Sequence, residues 1–161
     1  MKTASWFVQL PFDHVRIGIS RSVPRHLAAG YRLYRKLAPG EWFRSVTTAE
    51  YLKLYHDEVL ATLDPRQVHE DIMRLANGRV PVLCCFEAVG GPKWCHRSLV
   101  ASWLSAALGE AVPELGFEDR PQERHPLLPP KRDGLLAQRL TPSTQREREI
   151  WQRQATLKLD P

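Results

Sequence analysis

The stretch Val80-Pro81-Val82-Leu83-Cys84-Cys85-Phe86 is the strongest constraint on the fold of this chain. It is a short, continuous apolar run with stop signals on both sides: Asn77-Gly78 before it and Gly90-Gly91-Pro92 after it. A run of that length, with no polar alternation, suits a strand buried on both faces, as in a parallel sheet. Pro81 falls at its start, where a missing N–H is tolerated. A strong helical pattern follows from Cys95 to Leu108, with Leu99, Val100, Trp103, Leu104, Ala107 and Leu108 facing inward and Gly109 as the stop.

The elements upstream agree. Val15 to Ser20 alternates as a strand does. Leu27 to Pro39 carries near-helical spacing at Leu27, Tyr31, Tyr34 and Leu37, interrupted by Gly30, and stays unassigned. Thr47 and Glu50 fit a capping box, followed by an apolar stripe at Tyr51, Leu54, Tyr55, Val59 and Leu63. Asp64 as N-cap and Pro65 at the first helical position open a further helix, with Val68, Ile72, Leu75 and Ala76 on its buried side. Ala111 to Leu115 reads as a last strand. The order implies an α/β domain: a small, mostly parallel sheet flanked by helices. It spans residues 1–117. Residues 118–161 form a Pro-rich extension, expected as an extended segment and an exposed helix near Ser143 to Leu157. That tail could pack back through Leu127, Leu135 and Trp151 or bind a protein partner.

Composition narrows the class. A chain of 161 residues can bury a core without disulfides. No apolar run approaches the ~20 residues of a membrane-spanning helix, so no membrane partner is expected. Three cysteines, two of them adjacent, do not make a disulfide framework. The opening residues, broken by Gln9, Pro11 and Asp13, lack the pattern of a signal peptide, and free thiols point to the cytoplasm.

One cluster carries chemistry: Cys85-Phe86-Glu87, seven residues of loop, then Cys95-His96-Arg97-Ser98. The first group ends a buried strand and the second begins a helix. Ligands of open α/β sheets bind outside the carboxyl ends of the strands. A thiol at a helix amino end beside His and Arg is stabilised as thiolate, which makes Cys95 the candidate nucleophile. Glu87 is a candidate base or an orienting group for His96 or Arg97. Cys85 and His96 complete the catalytic set. Of the adjacent thiols, alternation sends one into the core, and Cys84 is the one expected there. Arg97 and Ser98, with Arg21 and Arg25 across the crevice, are the expected anion-binding residues. Gly90 and Gly91 allow close backbone approach. A metal site at Cys85, Glu87, Cys95 and His96 is the weaker alternative, because no Cys-x-x-Cys occurs and neighbouring side chains seldom share one tetrahedral ion.

The net charge of +5 is unevenly spread. Residues 14–40 hold Arg16, Arg21, Arg25, Arg32, Arg35 and Lys36 and no acidic residue, a local charge of +6, while all other residues sum to −1. Interleaved with Tyr31 and Tyr34, this window suits a phosphorylated small ligand or a single-stranded nucleic acid. A solvated basic face is the plainer reading of the same residues. The overall surplus of arginine over lysine is what a GC-rich coding background produces and says little about binding.

With these motifs in view, the chain resembles the uncharacterised family numbered 488 among the domains of unknown function. The resemblance runs from about Val15 to Gly116. Its marks are Leu83-Cys84-Cys85-Phe86-Glu87, Cys95-His96-Arg97-Ser98-Leu99-Val100-Ala101 and Trp103-Leu104, with Arg16-Ile17-Gly18-Ile19-Ser20-Arg21 and Pro24-Arg25 at the opening. It implies a compact parallel α/β domain and a site at Cys85, Glu87, Cys95, His96 and Arg97. It settles neither an activity nor a cofactor. The opening carries Ile-Ser-Arg where many members carry Gly-His-Ser, and the tail after Phe117 has no counterpart.

Overall fold

A computed structural model describes residues 1–119 and 124–129. Four strands, β1 (Lys2–Ser5), β2 (His14–Gly18), β3 (Arg32–Leu33) and β4 (Val80–Cys85), form one sheet in the order β1-β4-β2-β3. Every pairing is parallel. The helices are α1 (Thr48–Glu58), α2 (Pro65–Ala76) and α3 (His96–Leu108), with 3-10 turns at Arg35–Leu37, Glu41–Arg44 and Leu60–Thr62.

β4 is central, with β1 on one side and β2 on the other, which explains its unbroken apolar run. Alternation along it divides the interior in two. Leu83 joins Val15, Ile17 and Ile19 in the main core, which the helices close with Tyr55, Ile72, Leu99, Val100 and Leu104. Val82 and Cys84 point the other way, where Ala4 and Trp6 pack beneath loop and strand residues such as Leu27, Tyr31 and Leu33. Cys84 is fully buried there, as alternation requires. Gly18 makes room for the Trp6 indole: a Cβ at this position would lie 2.4 Å from the ring. The indole N–H then donates to Ser20 Oγ at 2.9 Å.

The local start and stop signals act as expected. The Thr47/Glu50 capping box is formed in both directions. Asp64 accepts from the backbone N–H groups of Arg66 and Gln67. Asn77 and Gly109 end their helices in the left-handed region.

Two expected elements differ, and two stretches left unassigned gain structure. β1 was not foreseen; four residues too short to show a period become a strand because β4 offers an open edge. Arg32–Leu33 pairs with β2, and Gly30, at φ +110°, turns the chain before it, so residues 27–39 hold a short strand and the 3-10 turn at Arg35–Leu37 rather than an α-helix. α1 stops at Glu58 rather than running to Leu63, and Val59 and Leu60 reach the core from a turn. Residues 111–115 contribute a single bridge, Thr3 to Glu114, because Pro113 has no N–H to extend a ladder. The expected tail helix lies outside the described residues, as do Leu135 and Trp151. Leu127 does return to the domain and packs on Cys85 and Cys95. No helix of the described residues is long and apolar enough to cross a membrane.

Candidate functional site

The site forms where β4 and β2 end side by side. Cys85, the last residue of β4, turns to the rim opposite Cys84. Cys95 is the N-cap of α3 in an extended conformation (φ −141°, ψ 139°), and its N–H donates to Leu127 O at 3.0 Å. His96 opens the helix. Its Nε2 lies 3.1 Å from the carbonyl of Ile19, just past β2. A carbonyl can only accept, so Nε2 carries the hydrogen and Nδ1 faces the thiols. Cys85 Sγ is 3.7 Å and Cys95 Sγ 4.0 Å from Nδ1. Glu87 Oε2 accepts from Cys85 Sγ at 3.4 Å.

The two thiols are electrostatically unlike. Burial pushes Cys95 up, but the Cys85 thiol, His96 and Arg97 outweigh it and hold Cys95 well below the ordinary thiol range. The hydrogen bond with Cys95, followed by burial, pushes Cys85 far up. Burial, then the negative charge on Cys95, raises the Glu87 carboxyl. Burial opposes a charged His96, yet the Cys95 charge beside it leaves its pKa raised. Cys84, sealed behind the sheet, is pushed up to about 12 by burial.

These groups floor a cavity of about 680 Å³. Cys85, Glu87, Cys95 and His96 all line it, and Arg21 reaches it from the loop after β2. The Arg21 guanidinium donates to Pro39 O at 3.0 Å, pairs with Glu41 and sits 5.6 Å from the centroid of Phe43. Arg44 and Lys93, both exposed, complete a cationic rim. An aromatic wall stands beside them: Tyr51 and Trp94 meet edge to face at 4.8 Å.

Three of the four expected anion ligands lie elsewhere. Arg97 is fully buried and spends its guanidinium inside the protein: Nε and Nη2 grip Glu114 at 3.0 and 2.7 Å, and Nη1 donates to Glu87 O at 2.6 Å. Ser98 is equally buried and donates to Cys95 O and Leu127 O. Neither lines the cavity, because the first turn of α3 places them on the side that faces residues 114 and 127. Arg25 is exposed and outside the lining. The basic window is largely engaged within the molecule. Arg16 donates to Trp6 O and Val8 O, Arg35 to Arg21 O, and Lys36 pairs with Asp71.

Arg44, Lys93, Tyr51 and Trp94 were missed as site residues. Lys93 and Trp94 sit just before Cys95, a signal that was open to use. Arg44 carried none, since only the turn at Glu41–Arg44 brings it to the rim. No family model, curated protein or solved structure matches the chain.

Proposed function

We propose that the cavity binds a small anionic molecule of phosphate or nucleotide type and that its thiol floor gives the protein a thiol-dependent activity on that ligand. The observation that carries this reading is the convergence of Cys85 and Cys95 on a space whose rim is cationic at Arg21, Arg44 and Lys93. Arg44 and Lys93 supply charge to a phosphate, and Tyr51 and Trp94 offer ring faces and edges to a base. Cys95 is the reactive thiol of this reading, with His96 and Glu87 beside it to manage protons. Arg97 holds the loop and helix in place and does not touch the ligand. The resemblance noted above falls on Cys85, Glu87, Cys95 and His96, which supports the same location. A reducing compartment such as the cytoplasm keeps these thiols free.

Calorimetry with inorganic phosphate and simple nucleotides tests the binding. Saturable binding that weakens with salt and falls about tenfold or more in the R44A/K93A double variant is expected. Failure to bind either probe, or unchanged affinity in that variant, overturns the reading.

A further inference from the structure

The cavity floor also has the geometry of a metal site. Cys85 Sγ, Cys95 Sγ and His96 Nδ1 all lie within 4.8 Å of one another, and all three residues are buried. A tetrahedral ion with metal–sulfur bonds of about 2.3 Å and metal–nitrogen bonds of about 2.0–2.1 Å sets its sulfur–nitrogen edges at about 3.6 Å. The two edges here are 3.7 and 4.0 Å. The sulfur–sulfur edge, for which the same ion needs about 3.8 Å, is within 4.8 Å, so side-chain rotation would complete the fit.

The imidazole is held in the form a cation needs. Its Nε2–H is committed to Ile19 O at 3.1 Å, so the neutral ring keeps its lone pair on Nδ1, aimed at the sulfurs. This is the outer hydrogen bond that orients metal-bound imidazoles and fixes their tautomer. The adjacency of Cys95 and His96, which weighed against a shared ion, is resolved by the backbone. Cys95 is extended and His96 helical, so consecutive side chains turn to the same side. Two sulfurs and one imidazole suit a thiophilic borderline cation rather than an oxygen-seeking one.

We propose that Cys85, Cys95 and His96 form a three-ligand site for a thiophilic divalent cation of the Zn²⁺ class, with the fourth position open to the cavity. Loading displaces the protons that the Cys85 thiol, Cys95 and His96 still hold at these ligand atoms and releases them to the buffer. The open position then accepts water or an oxygen of a cavity ligand. The proposal is independent of anion binding by the rim cations, but it competes with the thiol activity, since a bound ion would hold Cys95 Sγ and the His96 Nδ1 lone pair that this chemistry needs.

The test uses the reduced full chain, titrated with Zn²⁺ against a chromophoric chelator and separately with Co²⁺. One equivalent per chain is expected, with the thiolate-to-metal absorption and intense visible bands of tetrahedral cobalt. C85S and C95S should each weaken binding by more than about 100-fold, beyond the effect of losing an outer partner. C84S should leave it unchanged. Should a serine variant fail to fold, the wild-type chain still decides: one equivalent of Zn²⁺ must protect Cys85 and Cys95, but not Cys84, from alkylation under native-to-denatured pulse labelling. Binding no tighter than in the C85S/C95S double variant, a cobalt spectrum without the thiolate band, or no protection overturns the proposal. Phosphate titrations run with and without Zn²⁺ read the anion site separately.

Discussion

Arg97 and Glu114 form a buried bidentate ion pair, Nε to Oε2 at 3.0 Å and Nη2 to Oε1 at 2.7 Å, with the two side chains 0% and 3% exposed. Thr3 Oγ1 donates to the same carboxylate at 2.7 Å, and His125 Nε2 lies 3.3 Å from it. The third arm of Arg97 reaches Glu87 O. One guanidinium therefore ties β1, the loop after β4, the first turn of α3 and the segment after it. Removing it leaves Glu114 buried without its main countercharge. R97M should lose about 3–5 kcal/mol in urea unfolding, while the double variant R97M/E114L should recover much of that loss.

The same pair sets a pH dependence. Burial disfavours the charged Glu114 carboxylate, but hydrogen bonds from His125 and Arg97 outweigh burial and hold its pKa at about 2, below the ordinary 4.5. The folded state therefore binds this proton less readily than the unfolded state. Its stabilising contribution is complete above the unfolded value of 4.5 and is lost as pH falls toward 2. Denaturation midpoints measured across that range should fall less steeply with acid in E114Q than in the wild type. Parallel curves for the two proteins would rule out Glu114 as a source of the acid sensitivity.

The cysteines should divide by location. Cys85 and Cys95 line the cavity, whereas Cys84 is enclosed with Ala4, Trp6 and Val82 on the opposite face of the sheet. Iodoacetamide followed by peptide mass spectrometry should show Cys95 or Cys85 modified in the native protein and Cys84 only after denaturant is added. Equal slow labelling of all three would remove the thiol activity.

Gly18 is a packing requirement. A methyl group there would meet Trp6 Cζ2 at 2.4 Å and Leu33 Cδ2 at 2.9 Å. G18A should cost about 1–3 kcal/mol through overpacking. It should also shift tryptophan emission as the indole leaves Ser20. A neutral substitution would show that the second core is looser than its burial implies.

The rim gives the last expectation. Arg44 is exposed and stacks on Phe43 at 4.9 Å, so its removal should leave stability within about 0.5 kcal/mol while reducing phosphate affinity. Chemical denaturation of R44A beside its phosphate titration separates the two effects. A large loss of stability would assign Arg44 to packing instead.

Much of this fold was legible in local chemistry. The apolar run of β4 specified burial on both faces, Thr47, Asp64, Asn77 and Gly109 marked helix ends, and the spacing from Cys85 to His96 put thiols and imidazole at one rim. These are short-range effects: alternation, capping and backbone preference act within a few residues of their cause. What tertiary structure alone decided was the partner of each polar group. Glu114 lies 17 residues beyond Arg97 and turned an expected anion ligand into an internal tie. Ile19, 77 residues before His96, set the imidazole tautomer. The +6 stretch from 14 to 40 likewise looked free as a sequence, yet its arginines mostly found carbonyls and carboxylates once folded. A side chain's type shows what it can bind, but the competition among possible partners is settled only where packing brings them within hydrogen-bond distance.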